Sequence, residues 1–311
     1  MRVVVALGGN ALEGGAGRAS GDGLGVAATH VADLVLDGHQ VIVTHGNGPQ
    51  VGELLLDQDA REPARRRRLP LDVLVAMTQA QLGYLLQRDI EDELVSRGDH
   101  TDVVTVVTEV VVDEHDPAFV APTKPVGPRL GARPAGTHAD TRWEDGWWRR
   151  VVPSPEPVHL VEHAALRAIV EDGIVPICAG GGGVPVVRRG NRLWGVEAVI
   201  DKDLTSALVA ASLDADALVI LTDVAHVEID HGTPRARPLE ELTTGDARAL
   251  LDQLPEGSMR PKVRAALRAA EEGRVAVIGA LDQALDVLAG HAGTRVLPGP
   301  PTGTVQTARH P

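Results

Sequence analysis

The sequence predicts an α/β fold, a mainly parallel sheet covered by helices on both faces and carrying an inserted subdomain. Three observations point there. Short, wholly apolar runs alternate with segments of helical periodicity, the pattern of parallel strands buried on both sides. Several of those runs flow straight into glycines, which places a ligand at the carboxyl ends of the strands. One stretch, 114–150, interrupts the alternation with Pro, Gly and charge, and it holds three of the four tryptophans: Trp143, Trp147 and Trp148.

Val3 to Leu7 is a continuous apolar run ended by Gly8-Gly9, and it predicts the first strand. Val26, His30, Val31, Leu34 and Val35 then recur at helical spacing until Asp37-Gly38 stops the helix. Val41 to Val43 is the next strand and runs into Gly46-Asn47-Gly48. Leu71 to Arg97 reads as a long helix ending at Gly98, followed by the β-branched run Val103 to Val112. Beyond the interruption come a helix near Val158 to Asp172, a strand Ile174 to Cys178 and a hairpin over 184–199 turning at Arg189-Gly190-Asn191. A helix Asp201 to Leu213, a strand Ala217 to Leu221 and helical segments near 238–253 and 260–272 follow. Val275 to Ile278 is a further strand, and a short helix lies near 281–289. Residues 114–150 read as an inserted lid-like subdomain, with a disordered loop as the alternative. The tail, 298–311, is rich in Pro, Gly and Thr and is expected to fray.

Composition limits what the protein does. Its 311 residues are enough for one large α/β domain or two small ones, and they bury a substantial core. Only 2% of the residues are aromatic, so Val, Leu, Ala and Ile must build that core. A net charge of −13 argues against nucleic acid or an anionic membrane as the main partner. Arg65 to Arg68 is the one basic cluster and reads as a solvated surface segment. The single cysteine, Cys178, excludes internal disulfides and fits a reducing compartment. With no signal peptide and no apolar run of about 18 residues, a cytoplasmic location is expected.

Chemistry enters through the lysines. Of the 30 basic Lys and Arg residues only three are lysine: Lys124, Lys202 and Lys262. A compact ammonium fits among crowded phosphoryl oxygens where the broad, planar guanidinium does not. Lysine that persists in an arginine-rich chain therefore points to an anion-transferring site; compositional drift is the alternative. Gly8-Gly9-Asn10, Gly46-Asn47-Gly48-Pro49 and Gly180 to Gly183 each follow a predicted strand. Glycine lets backbone N–H groups approach an anion closely, and two such loops plus a four-glycine run exceed what turns require. Lys262 follows Pro261 at a helix start, where a cation opposes the helix dipole unless an anion binds. Lys202 lies between Asp201 and Asp203, carboxylates placed to orient it or to help hold a metal–nucleotide complex. His45, beside the second loop, reads as structural rather than as an acid or base. No P-loop motif and no zinc-binding histidine spacing is present, so no protein-held metal is assigned.

VVALGGNAL, VTHGNGPQVG, PLDVLVAMTQAQLGY, PTKPVGP, RRVVPSPEP, GGGGVPVV, GVEAVIDKD, DADALVILTDV and GSMRPKV occur in order from Val4 to about Val263. In these segments the sequence resembles carbamate kinase, within the amino acid kinase superfamily. The resemblance implies a single three-layer αβα sandwich over 1–311, with a protruding subdomain and a homodimer. It implies reversible phosphoryl transfer between ATP, carried with Mg²⁺, and carbamate, giving ADP and carbamoyl phosphate. The family mostly runs towards ATP at the end of arginine, agmatine or purine-derived breakdown. By the same resemblance Lys124, Lys202, Lys262 and Asp203 are catalytic. Gly8, Gly9, Asn10, Gly46, Asn47, Gly48, Gly181 and Gly182 hold substrate or phosphate, and Asp201, Thr222, Asp223, Val227, Met259 and Lys262 hold the nucleotide. Many relatives outside this branch place a lysine before the N-terminal glycines, where this chain has Ala6-Leu7. The lysine of PTKP, here Lys124, supplies that charge, with the subdomain closing to bring it to the transferred group. The chain departs from the family at Gly146-Trp147, at Ala225 and at His231. Two other readings stand beside this one: another amino acid kinase with a different small carboxylate or phosphate, and a non-catalytic nucleotide or carbamoyl phosphate sensor.

Overall fold

The structure, a computed structural model, describes residues 1–9, 22–60, 68–133, 140–144, 146–254 and 258–302. Asn10, Arg65 to Arg67 and the tail beyond Thr302 lie outside the described residues. In chain order the elements begin with β1 (Arg2–Leu7), α1 (Asp22–Leu36), β2 (Gln40–His45), α2 (Gly48–Ala60) and α3 (Leu71–Ser96). Next come β3 (Val103–Thr105), β4 (Glu109–Val112), β5 (Lys124–Leu130), β6 (Thr141–Glu144), β7 (Trp147–Val152), β8 (Pro157–Leu160), α4 (His163–Glu171) and β9 (Val175–Ile177). A hairpin of β10 (Val184–Arg189) and β11 (Arg192–Gly195) leads into α5 (Lys202–Ser212) and β12 (Ala217–Thr222). The chain continues through β13 (Val227–Ile229), β14 (Arg237–Leu239), β15 (Glu241–Thr243), α6 (Thr244–Leu250), α7 (Met259–Glu271), β16 (Val275–Ala280), α8 (Ala284–Ala289) and β17 (Thr294–Leu297).

An eight-stranded sheet in the order β15-β17-β16-β12-β1-β2-β9-β3 forms the middle layer. From β16 to β3 its pairings are parallel, while β17 runs antiparallel to β16. Alternate side chains of each strand enter opposite layers, as the period of two demands. Val3, Val5, Val41, Val43, Ala217 and Val219 pack against α1, α8 and the second half of α3. Val4, Ala6, Ile42, Leu218 and Ile220 pack against α4, α5, α6 and α7. The result is a three-layer αβα sandwich. Its helix faces are built from small residues: α7 buries Val263, Ala265, Ala266, Ala269 and Ala270, a close fit that needs no aromatic filler.

Among the described residues three smaller sheets accompany the eight-stranded one, one of them the two-stranded β13-β14. β11-β10-β4-β8 forms another. A further one, β5-β7-β6, is antiparallel and carries Trp143, Trp147 and Trp148, with Trp143 and Trp148 paired across strands at a centroid distance of 5.3 Å. The described residues of 114–150 include a 3₁₀ turn at Pro117–Phe119 and the strands of this sheet, of which β7 extends to Val152. The sheet docks on α2 by backbone contact: a Cβ on Gly52 would stand 1.9 Å from Gly127 Cα. Val126 and Val152 close the joint against Val51, Leu55, Leu74 and Val75. Arg150 adds an ion pair to Asp59 at 2.9 Å.

Several expectations need correction. The helix expected near Val158 to Asp172 is a strand, β8, followed by the shorter α4; Leu160 pairs with Val110 at the register of β4. The β-branched run Val103 to Val112 divides between two sheets. The helix expected over 238–253 begins as β14 and β15, and only Thr244–Leu250 is α-helical, started by a Thr243–Asp246 capping box. Strand β17 escaped notice because its half-buried alternation is only four residues long. The described part of the tail is pinned: Gly299 accepts from Gly245 N–H at 3.0 Å, and Thr302 N–H donates to Asp246 at 2.9 Å. No helix among the described residues is long and apolar enough to cross a membrane.

The backbone contact on α2 is testable. Gly52→Ala forces backbone atoms apart and should cost about 1–3 kcal/mol, the usual range for overpacking. The loss should be concentrated in β5 to β7, so limited proteolysis should cut 124–152 faster. Wild-type cleavage there would show that the sheet does not depend on this contact.

Candidate active site

β1, β2, β9 and β12 run parallel, so their carboxyl ends open on one edge of the sheet. The glycine loops meet there. Gly8 N–H donates to Leu221 O at 2.9 Å, and Gly46 N–H to Leu7 O at 3.1 Å. A Cβ on Gly46 would lie 2.8 Å from Gly9 N, so only glycine permits the two loops to touch. Gly181, Gly182 and Gly183 have φ of +64°, +92° and +84°, a run closed to ordinary side chains. Cβ atoms on Gly181 and Gly182 would strike Asn47 and Ile200 O.

Buried polar side chains fix these loops from behind. Asn47 Nδ2 donates to Thr78 Oγ1 at 2.8 Å, and Gln79 Nε2 to Gly180 O at 3.3 Å. Thr205 Oγ1 donates to Gly182 O at 2.9 Å, and Thr44 and Ser206 share a hydrogen bond of 2.7 Å. Asn47 is therefore a buried wedge between loops, with its amide nitrogen committed to the protein. Thr78, Gln79, Thr205 and Ser206 went unassigned in the sequence, although polar residues on otherwise apolar helix faces were the available signal.

The three lysines converge on two carboxylates. Asp203, in the first turn of α5, is almost fully buried. Lys262 Nζ, from the first turn of α7, donates to its Oδ2 at 3.0 Å. Lys202 Nζ lies 2.8 Å from its Oδ1, an ion pair off the hydrogen-bonding direction, and donates to Ala6 O at 3.3 Å. That carbonyl is at the end of β1, beside the first glycine loop. Lys124, from the start of β5, donates to Asp201 Oδ2 at 2.8 Å. Asp201 Oδ1 caps α5 by accepting from Asp203 N–H at 2.9 Å. Lys124 thus already stands at the site with the subdomain docked as described.

The charges follow from these contacts. Burial opposes ionisation of Asp203, but Lys202 and Lys262 outweigh it and hold its carboxyl well below the usual carboxylate range. Burial lowers the Lys202 ammonium, opposed by Asp203 and helped by Lys262. Burial also works against the charge on Lys262, yet Asp203, with Asp201 and Asp223, keeps its pKa above the ordinary lysine value. His45 is fully buried, with Nδ1 3.0 Å from Gly46 O. Desolvation lowers its pKa to about 4, so the ring is neutral at physiological pH and acts as a wedge beneath Gly180.

The residues expected at the nucleotide divide into two groups. Thr222, at the end of β12, donates to Asp223 Oδ1 at 3.0 Å, and Asp223 is close enough to Lys262 to raise its pKa. Met259 opens α7, half-buried against the core. Val227 is wholly buried, and its N–H donates to Thr294 Oγ1 at 2.9 Å, so it backs the region from the core side. Glu156 is a further contributor missed in the sequence. Its two oxygens pair with Arg264 at 2.6 Å and Arg268 at 2.5 Å, tying the loop after β7 to α7.

Residues 1–279 match the amino acid kinase family. The carbamate kinase of Pyrococcus furiosus is 42% identical, over 96% of this chain and 99% of that protein. The carbamate kinase of Thermococcus kodakarensis is 43% identical, over 95% and 99%. The structure of carbamate kinase from Giardia lamblia bound to AMP-PNP superposes with a TM-score of 0.86 at 36% identity, covering 96% of this chain and 98% of that one. The chain belongs to the amino acid kinase family, in its carbamate kinase branch. The lysine and glycine arrangement of this amino acid kinase therefore sits at the sheet edge where its strands end.

His45 gives this kinase a defined acid sensitivity. Its folded pKa of about 4 lies below the unfolded value of 6.5. Between those values the unfolded chain takes up a proton that the folded chain refuses, so stability rises with pH by up to about 1.4 kcal/mol per unit. Urea midpoints measured across that window should show the rise, and His45→Gln should flatten it. An unchanged slope in the variant would assign the acid sensitivity elsewhere.

Proposed function

We propose that this chain catalyses reversible phosphoryl transfer between ATP and carbamate, giving ADP and carbamoyl phosphate. The observation that carries the reading is three ammonium groups, held by two carboxylates beside abutting glycine loops, with no side chain among the described residues placed as a base. Carbamate needs none: its oxygen is already anionic and attacks the γ-phosphorus directly. The bond from that phosphorus to the bridging oxygen breaks, and ADP leaves with the electron pair. The protein's work is then positioning and charge stabilisation. Lys202 and Lys262 face the phosphates from α5 and α7, Lys124 faces the group in transfer, and loop N–H groups receive its oxygens.

Among the described residues no group of three or more His, Cys, Asp or Glu side chains is gathered to hold a metal ion. Both oxygens of Asp203 face lysines. In this reading a divalent ion, Mg²⁺, enters as part of the nucleotide substrate, where it neutralises phosphate charge. The ATP-forming direction and a place in arginine, agmatine or purine-derived breakdown come with the resemblance, and a cytoplasmic location is proposed from the single cysteine, which fits a reducing compartment. Formation of ATP from ADP and carbamoyl phosphate in a coupled assay tests the activity; none from a folded, nucleotide-binding protein would sink it.

The lysines can be tested one by one. Lys124→Arg and Lys202→Arg should each slow transfer by at least about 10²-fold with the melting temperature unchanged, because a wider head displaces the transferred group. Lys262→Arg should act more through the Michaelis constant for nucleotide. Near-wild-type kinetics in all three would make the survival of these lysines accidental.

A homodimer is part of the same reading. Val73, Met77, Tyr84 and Val95 are exposed on α3 and fall within about 40° of one line at 3.6 residues per turn. That stripe runs along the 26-residue helix, interrupted by Glu91 between Tyr84 and Val95, and a second copy would cover it. Light scattering should give a dimer mass, and Met77→Glu with Tyr84→Glu should give a monomer. A wild-type monomer at micromolar concentration would refute the assembly, and a dimeric double variant would move the interface elsewhere.

A further inference from the structure

Asp201 is expected at the nucleotide, yet its carboxylate is already taken up within the protein. Oδ1 accepts from the N–H groups of Asp203 and Leu204, at 2.9 and 3.4 Å, and Oδ2 accepts from Lys124 Nζ at 2.8 Å. The cap alone does not require a charge, since Ser, Thr or Asn cap as well as Asp. The charge has another use. Lys124 arrives from β5, 77 positions earlier in the chain, on a flexible four-carbon stem. Its side chain keeps 23% of its exposure, against 11% for Lys202 and 13% for Lys262. Lys202 and Lys262 share the buried Asp203, whereas Lys124 has only Asp201 among the described carboxylates. Holding a lysine in one rotamer costs up to about 2 kcal/mol of side-chain entropy. A fixed carboxylate offsets that cost before substrate arrives.

We propose that Asp201 is a positioning residue for Lys124, rather than a ligand of the nucleotide. It sets the ammonium at a fixed distance from the N-terminus of α5, and so from Lys202 and Asp203, which follow it in that turn. One side chain thereby aligns a lysine of the three-stranded sheet with the two lysines of the αβα sandwich. The inference rests on the reading of Lys124 as the lysine of the transferred group.

Asp201→Asn separates the two duties, because asparagine keeps the capping oxygen and the volume but loses the charge. Electrostatics alone predicts faster transfer in this variant, since a negative charge leaves an anion-handling site. Positioning predicts the opposite: turnover about tenfold lower or worse, a nucleotide Michaelis constant within about twofold of wild type, and an unchanged melting temperature. Added to Lys124→Ala, Asp201→Asn should cost almost nothing more, because the residue it positions is gone.

A second readout does not depend on the activity. With three lysines and one N-terminal amine, competitive amine labelling followed by peptide mass spectrometry resolves every site. In Asp201→Asn, labelling of Lys124 relative to Met1 should rise at least about threefold, near what a pair of this exposure is worth. Asp201→Ser, which also caps, serves if the first variant does not fold. Unchanged Lys124 labelling in a folded variant overturns the proposal. So does a raised nucleotide Michaelis constant with turnover kept, which would make Asp201 a nucleotide ligand. If the wild type forms no ATP from carbamoyl phosphate, the function fails while the labelling still decides the positioning.

Discussion

Asp203, buried between two ammonium groups, is the interaction on which the site depends. An unpaired carboxylate at this depth would be strongly destabilising, and so would either lysine left without it. Together they fix three chain segments at one point: the first turn of α5, the first turn of α7, and the end of β1 through Lys202 and Ala6 O. Two lysines that would repel each other are held on the two oxygens of one carboxylate. Charge stabilisation is effective when the donors are already in place, because nothing then reorganises during the reaction.

The glycine loops depend on the same economy of space. Gly9 and Gly46 touch backbone to backbone, and the 180–183 run follows a path that side chains would block. Such loops lose much conformational entropy on folding. Here Asn47, Thr78, Gln79 and Thr205 tether them from behind, while neutral His45 fills the space below.

The three-stranded sheet is joined to this centre by contacts of different kinds. Gly52 and Gly127 allow backbone contact with α2, Val126 and Val152 seal it, and Arg150 pairs with Asp59. Glu156 then clamps the following loop to α7. These attachments bring Lys124 to the same turn of α5 that presents Lys202.

How much was legible follows from what is local. Strands such as Val3 to Leu7 and Ala217 to Leu221 were readable because burial on both faces leaves an unbroken apolar run. The glycine loops were readable because close approach and positive φ demand glycine whatever surrounds them. The lysines stood out against a chain that uses arginine everywhere else. Strands β8, β14, β15 and β17 were not readable: they are three or four residues long, and partners far along the chain settle them. Nor could the sequence tell that Val227 lies in the core or that Gly299 and Thr302 are tied to α6. By itself the sequence determined the layer pattern, the glycine loops and the three lysines that gather where the strands end. Only the tertiary structure decided which oxygen each cation meets, since Lys124 to Asp201 and Lys262 to Asp203 span 77 and 59 positions. Pairs so distant are set by how the sheets and helices close on one another, and no local periodicity records that closure.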